Sequence, residues 1–92
     1  MTSNDKLKIS VQLFGAFRRV HPHPVALSVE KNTKIKEIKS ALENALRELN
    51  PAFNDTELLN KSVLANNQKI YQDDETIIES ATIAILPPVC GG

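Results

Sequence analysis

Hydrophobic and polar residues alternate along two segments in the first third of the chain. The first, residues 7–14, places four aliphatic side chains on one face: Leu7, Ile9, Val11 and Leu13. The second, residues 25–30, does the same with Val25, Leu27 and Val29. A period of two is typical of a half-buried strand, so the pattern predicts two strands that can pair as an antiparallel hairpin. Phe14 is the exception, because it is apolar on the polar face.

The connection between these strands, residues 15–24, is too long for a tight turn. Pro22 and Pro24 lack a backbone N–H, so we expect the ladder to start only after Pro24. Residues 34–49 then predict a helix, because apolar residues recur there at steps of three and four: Ile35, Ile38, Leu42, Ala45, Leu46 and Leu49. Asn32 and Thr33 are candidate N-caps, and Pro51 ends the helix.

The second half of the chain predicts shorter elements. Residues 51–62 read as a loop held to the domain by its apolar side chains, Phe53, Leu58 and Leu59. Residues 63–65 and 69–71 predict two short strands joined by a turn at Asn66 and Asn67. Residues 82–86 predict a last strand that places Ile83 and Ile85 on one side and Thr82, Ala84 and Leu86 on the other.

These elements predict an α+β fold with one main helix across one face of a mixed sheet. First and last strands that lie parallel at the centre would bury both Ile-rich faces, and that arrangement is the β-grasp, or ubiquitin-like, fold. We expect residues 1–6 to be disordered, residues 7–86 to form the domain and residues 87–92 to form an extended tail. Phe14 and Leu86 would then be neighbours on the face away from the helix, which indicates a docking patch.

Composition excludes several classes of function. Eleven Lys and Arg balance eleven Asp and Glu, so nothing draws the chain to nucleic acid or to an anionic membrane. The single cysteine cannot form an internal disulfide, and no Cys/His set has metal-ligand spacing, so we expect no metal. The polar residues 1–6 lead into no signal peptide, which favours a reducing, cytoplasmic location.

The strongest functional signal lies at the C-terminus. Pro87 and Pro88 restrict φ and favour an extended arm. Gly91 and Gly92 carry no side chains, so the backbone can enter a narrow channel and present its terminal carboxylate inside a partner. The alternative for the glycine pair alone is an unselected mobile end. Combined with the two prolines and the β-grasp pattern, the pair makes the Gly92 carboxylate the candidate reactive group.

The chain resembles the MoaD family, the small sulfur-carrier subunits of molybdopterin synthase. Three segments carry the resemblance: residues 13–18 (LFGAFR), residues 64–67 (LANN) and, most specifically, residues 83–92 (IAILPPVCGG). The sequence departs from the family pattern in two places. Glu79-Ser80-Ala81 stands where acid-Gly-acid is usual, and Cys90 stands where Ser, Thr or Ala is usual.

The resemblance implies a carrier chemistry. A MoeB-type adenylating enzyme, related to ubiquitin-activating enzymes, would use ATP and magnesium to convert the Gly92 carboxylate into an acyl adenylate. A persulfide sulfur donor would then produce a thiocarboxylate. The tail would enter a MoaE-type large subunit, within a heterotetramer, and sulfur would pass to cyclic pyranopterin monophosphate in molybdenum cofactor biosynthesis. The chain itself is expected to bind no cofactor and to show no turnover alone.

The resemblance also implies the partner-binding residues. Its interface patch falls on Phe14, Ile70 and Leu86, its charged contact on Arg18, and its tail contacts on Pro87, Pro88, Val89 and Cys90. Gly91 belongs with Gly92 to the reactive end. For Phe14 and Leu86 the alternative is partial burial under the Phe53 loop, and Arg18 can equally be a lone surface charge. Cys90 is interpreted as a tolerated small residue, because a ring closed by its thiolate on the nearby carbonyl would be strained.

Other functions fit part of the pattern. A thiamine-pathway carrier of the ThiS type shares the fold, the Gly-Gly end and the activation chemistry, although such carriers are usually shorter and lack the Pro-Pro-Val segment. A carrier for another metabolite and a protein modifier joined to lysines are further options. A ubiquitin-like interaction module with an unreactive tail belongs to a different class, and it would form no adenylate.

Overall fold

The computed structural model describes residues 6–88. Along this part of the chain the elements are β1 (Lys6–Leu13), α1 (Ala16–Val20), β2 (Val25–Glu30), β3 (Thr33–Lys34), α2 (Ile35–Leu49), α3 (Thr56–Lys61), β4 (Val63–Ala65), β5 (Thr76–Ile77) and β6 (Ala81–Leu86). The main sheet has the strand order β2-β1-β6-β4, and β3 pairs with β5 in a small second sheet.

The central pair of strands confirms the predicted β-grasp topology. β1 runs antiparallel to β2 and parallel to β6, with Leu13 opposite Ile85 and Val11 opposite Ile83. Of the side chains predicted to share one face, Ile9, Val11, Ile83 and Ile85 are at most 1% exposed, whereas Leu7 near the start of β1 is only partly buried. The period of two therefore identified the core face of both strands, because a sheet covered on one side buries alternate residues.

Helix α2 packs across this core face. Ile35, Ile38, Leu42 and Leu46 are 0% exposed, as their helical spacing predicts, whereas Leu49 at the C-terminal end is 49% exposed. The predicted N-caps are wrong. The residue before the helix is Lys34, which makes no side-chain cap; Asn32 has a left-handed φ of 71°, and the Thr33 hydroxyl donates to the Glu30 carbonyl. The chain enters the helix from β3, which leaves no place for a capping loop.

Two short helices were not predicted. α1 lies in the connection after β1 and buries Phe17 completely, against the Phe53 ring at a centroid distance of 6.5 Å. α3 lies in the segment predicted to be a loop, and the Asp55 side chain caps it by accepting from the Leu58 N–H at 3.0 Å. Phe53 and Leu59 do bury, as predicted. The apolar contacts of this segment were thus correct and its secondary structure was wrong.

Two smaller differences from the predicted elements concern the start of β1 and residues 69–71. β1 starts at Lys6, which pairs with Glu30, so the segment predicted to be disordered is one residue too long; the rest of it lies outside the described residues. Residues 69–71 do not form a strand, and Ile70 alone forms a bridge, to Ala65. The Ser80 hydroxyl accepts a hydrogen bond from the Lys8 N–H at 2.9 Å, which connects the start of β6 to β1.

Among residues 6–88, no helix has the length and apolar character needed to cross a bilayer.

Candidate functional site

The face of the main sheet away from α2, here called the outer face, carries the predicted docking residues. Leu13 pairs with Ile85, and Leu86 pairs with Val63, so Phe14, Leu86 and Val63 lie side by side at the C-terminal ends of β1 and β6. Phe14 and Leu86 line one groove on this face, and they are 40% and 36% exposed. The structure therefore places these two residues together, as strand parity predicted.

Ile70 joins them from the far edge of the sheet. Ile70 bridges to Ala65, and Ala65 pairs with Ala84 in β6. Ile70, Ala65 and Ala84 therefore form a row across the outer face, adjacent to the row of Val63, Leu86 and Phe14. Ile70 is 56% exposed. We call Phe14, Ile70 and Leu86 the outer patch. Large apolar side chains that remain exposed within one small area are typical of a surface that binds another protein.

The loop that carries Ile70 is held by a dense set of polar contacts. Asn66 Oδ1 accepts from the backbone N–H groups of Gln68 and Lys69, each at 2.8 Å, and Asn66 Nδ2 donates to the Tyr71 hydroxyl at 2.9 Å. The Tyr71 N–H donates to the Leu64 carbonyl at 2.8 Å. These bonds connect both sides of Ile70 to the end of β4, so its exposed position is built into the fold.

Glu75 closes the same loop. Its carboxylate accepts from the Lys69 ammonium and from the Gln72 backbone N–H, the latter at 2.6 Å. Both donors stabilise the ionised form, so the Lys69 side chain first and the Gln72 N–H second hold the pKa of Glu75 below its ordinary value. Glu75 therefore keeps its negative charge to a lower pH than an ordinary glutamate does.

Phe53 does not cover the outer patch. It is 7% exposed and packs against Phe17 within the core. Phe14 and Leu86 keep their exposed fractions on the opposite side of the sheet. The structure thus does not support the alternative in which the Phe53 loop shields them.

Arg18 lies at one end of the outer patch. It belongs to α1, is exposed, and lines a small hollow with Gln12, Phe14 and His23. Within residues 6–88, no carboxylate lies within ion-pair distance of its guanidinium. A cation next to an apolar patch matches the predicted placement, and its role in binding a partner stays a prediction.

The base of the C-terminal segment begins directly beside this surface. Pro87 follows Leu86, and both Pro87 and Pro88 are partly buried. The Pro87 ring Cγ lies 2.8 Å from the position that a side-chain Cβ on residue 15 would occupy, and Gly15 has a φ of 59°. Gly15 was not among the predicted site residues, although it lies inside the LFGAFR segment. The predicted tail residues Val89, Cys90, Gly91 and Gly92 lie outside the described residues.

Residues 6–88 contain no group of three His, Cys, Asp or Glu side chains that could hold a metal ion. The fold and the outer patch define the chain as a ubiquitin-like β-grasp protein that presents an apolar surface next to the start of its C-terminal segment.

A model of the ThiS family matches residues 11–92, and the chain belongs to this family. It is therefore a small ubiquitin-like sulfur carrier, and carriers of this family are activated by an adenylating enzyme related to ubiquitin-activating enzymes. The predicted carrier class is confirmed at this level. The match extends to Gly92, the last residue of the chain. Among curated proteins, none matches the sequence.

Solved structures share the fold at low sequence identity. SAMP1 from Haloferax volcanii has a TM-score of 0.68 at 23% identity, over 92% of this chain and 99% of that one. The Haloferax volcanii HVO 2177 protein has a TM-score of 0.69 at 15% identity, over 100% and 92%. The ubiquitin-like domain of Plasmodium falciparum Dsk2 has a TM-score of 0.59 at 11% identity, over 90% and 99%. At these identities the likeness concerns the fold alone.

Proposed function

We propose that this chain carries sulfur as a thiocarboxylate on Gly92, formed after its terminal carboxylate has been adenylated. One observation carries the proposal: the family match runs from β1 to the final glycine, so it includes the Gly-Gly end. The outer patch adds support, because Phe14 and Leu86 lie where the C-terminal segment leaves the sheet.

The chemistry explains why the chain needs an activating partner. A carboxylate is a poor acyl electrophile, so its oxygen first attacks the α-phosphorus of ATP and displaces pyrophosphate. A persulfide sulfur then attacks the acyl carbon, and AMP leaves. A second thiol cleaves the S–S bond of the resulting acyl disulfide, which leaves the thiocarboxylate on Gly92 and a new disulfide on the donor. Acid, base and oxyanion groups for these steps come from the partners.

The outer patch serves as the docking surface in this proposal. Phe14 and Leu86 share one groove, and Ile70 is held beside them by the Asn66 and Tyr71 contacts. Docking of a rigid apolar surface confines the short tail to a small volume near the partner's active site. This confinement raises the effective concentration of the Gly92 carboxylate there.

For the acceptor, we propose a MoaE-type large subunit of molybdopterin synthase, which would transfer the sulfur to cyclic pyranopterin monophosphate. The IAILPPVCGG segment supports this acceptor through its resemblance to MoaD. A thiamine-pathway acceptor is the second candidate, and the ThiS family match favours it. Both acceptors would receive the same thiocarboxylate, so activation and delivery are separate questions.

Activation is tested with the purified chain, the adenylating enzyme of the same organism, ATP, magnesium and a persulfide donor. The intact mass should rise by the difference between one sulfur and one oxygen atom, and pyrophosphate exchange into ATP should depend on the chain. A variant that lacks Gly92 is the matched control and should show neither. An unchanged mass for the wild-type chain, with an enzyme that is active on another carrier, would overturn the carrier proposal.

Delivery is tested by offering the thiocarboxylated chain to each acceptor separately. With the large subunit and cyclic pyranopterin monophosphate, we expect formation of the pterin dithiolene and return of the chain to its carboxylate mass. Sulfur loss only in the presence of a thiazole-forming enzyme would assign the chain to the thiamine pathway and exclude the molybdopterin acceptor.

A further inference from the structure

Gly15 and Pro87 are in close contact where the C-terminal segment leaves the sheet. Because Leu13 lies opposite Ile85 in the parallel β1–β6 pair, continuing this register brings residue 15 next to residue 87. Position 15 has room for a hydrogen only, since an added Cβ would lie 2.8 Å from Pro87 Cγ. The backbone at Gly15 is also left-handed, with φ at 59°, a conformation that L side chains rarely adopt.

The two sides of this contact are rigid. On one side, Phe17 N–H donates to the Phe14 carbonyl and Arg18 N–H donates to the Gly15 carbonyl, each at 3.1 Å, and Phe17 anchors the turn in the core. On the other side, the proline ring restricts φ and cannot rotate away from Gly15 as a flexible side chain would. Pro87 also lacks an N–H and cannot donate a ladder hydrogen bond, and β6 ends at the residue before it, Leu86.

We propose that Gly15 is a positioning residue, which sets the direction in which the tail leaves the sheet by seating the Pro87 ring against the β1–α1 turn. This inference rests on the proposed function, because the direction matters only if Gly92 must reach a partner's active site while the outer patch is docked. A tail aimed in advance needs less ordering when the partner binds, and a small displacement at its base is carried to its reactive end.

Three substitutions and their combinations test the contact. Gly15→Ala introduces the Cβ that collides with the ring. Pro87→Ala removes the ring, so it should relieve the collision in the double variant. Pro88→Ala is the matched control, since it removes the neighbouring proline and leaves the Pro87 ring against Gly15. The effect of Gly15→Ala should therefore depend on which proline is present.

The kinetic readout is sulfur loading by the adenylating enzyme, with the carrier as the varied substrate. Gly15→Ala should lower kcat by about 10- to 100-fold with KM little changed, since the patch still docks and the tail is displaced. Pro87→Ala should lower kcat by about 2- to 5-fold, the scale expected when one proline constraint is lost. Adding Gly15→Ala to Pro87→Ala should cost about threefold or less, whereas adding it to Pro88→Ala should cost its full factor.

A purely structural role predicts another result. If Gly15→Ala only destabilised the fold, the unfolded fraction would reduce the effective carrier concentration, so the apparent KM would rise and kcat would stay constant. A constant kcat would therefore overturn the proposal. Equal costs of Gly15→Ala in the Pro87→Ala and Pro88→Ala backgrounds would also overturn it.

A second readout needs no enzyme. A nitroxide attached to Cys90, the single cysteine, broadens nearby amide signals, and its pattern over Leu13, Gly15 and Ala16 reports the direction of the tail. Pro87→Ala should change this pattern more than Pro88→Ala does, because only Pro87→Ala removes the ring that lies against Gly15; equal changes in the two variants would refute the contact. The nitroxide measurement on the Pro87→Ala and Pro88→Ala variants also tests the Gly15–Pro87 contact if Gly15→Ala does not fold. Should the wild-type chain fail to load sulfur, the proposed function fails while this measurement still tests the contact.

Discussion

Phe14 and Phe17 lie three residues apart but in opposite environments. Phe14 is 40% exposed in the outer patch, whereas Phe17 is 0% exposed in the core beside Phe53. Truncating each residue to alanine should therefore affect different properties of the protein. We expect Phe14→Ala to weaken partner binding and Phe17→Ala to weaken the fold.

The magnitudes follow from the exposed fractions. A phenylalanine side chain buries about 200 Å² when fully covered, so the exposed 40% of Phe14 corresponds to about 80 Å². At about 25 cal/mol per Å², covering this area contributes about 2 kcal/mol, or a change in Kd of about 30-fold. Phe14→Ala should lower the free energy of unfolding by only about 1 kcal/mol. Phe17→Ala removes a fully buried ring and should cost about 3–5 kcal/mol.

The assay combines titration calorimetry with denaturant unfolding. Each variant is titrated into the adenylating enzyme and, separately, into the acceptor protein, and its free energy of unfolding is measured by urea. Ile78→Ala is the matched control, because Ile78 is 58% exposed but lies outside the outer patch, in a hollow with Tyr71 and Glu79. Its Kd should equal that of the wild type.

Two results would refute this reasoning. A folded Phe14→Ala variant that binds both partners within about threefold of the wild type would remove Phe14 from the docking surface. Equal losses for Phe14→Ala and Ile78→Ala would show that exposed apolar area in general, and not the outer patch, determines binding.

Three further predictions concern the tail and two ion pairs. Adding one alanine after Gly92 should abolish the mass gain of sulfur loading, because the glycine carboxylate becomes an amide; a loaded extended chain would contradict the tail chemistry. Lys39 is 7% exposed, and its ammonium lies 3.1 Å from Asp73 Oδ1. Asp73→Asn leaves this buried cation unpaired and should lower the free energy of unfolding in urea by about 1–2 kcal/mol, whereas Lys39→Met should lower it by less. The reverse order of the two losses would refute this. The pKa of Glu75 is lower in the folded chain than in the unfolded chain, so its ionised carboxylate stabilises the fold. This stabilisation is fully present at a pH above the pKa of the unfolded chain, and it is lost as the pH falls through the pKa of the folded chain. Lys69→Met should raise that pKa in an NMR titration of the Glu75 carboxyl carbon, and an unshifted titration would exclude Lys69 as its main cause.

The long elements could be predicted because each repeats one pattern many times. In β1 the alternation from Leu7 to Leu13 identified the core face, and in α2 the stripe from Ile35 to Leu46 identified the buried side. Each further residue in such a pattern adds independent information about the same face, so the repeated signal outweighs single exceptions. The neighbourhood of Phe14 and Leu86 followed from parity once β1 and β6 were assumed to pair in parallel.

The short elements were missed because they contain too few residues to repeat a pattern. α1 and α3 have five and six residues, fewer than two turns each, and β3 and β5 have two residues each, which is too few for any period to show. A one-turn helix is unfavourable by itself, because nucleation fixes several residues for one hydrogen bond. Phe17 in the core stabilises α1, and contacts of Leu59 stabilise α3, and both contacts exist only in the folded chain.

The sequence by itself determined the sheet faces, the main helix, the shared face of Phe14 and Leu86, and the Gly-Gly end. Only the tertiary structure decided that Gly15 lies against Pro87 and that Phe53 lies on the core side, away from Phe14. The physical reason is the distance along the chain over which each kind of information extends. A periodic pattern records which side of an element is covered by apolar neighbours, whereas contacts between residues far apart in the chain are set by how the finished elements pack.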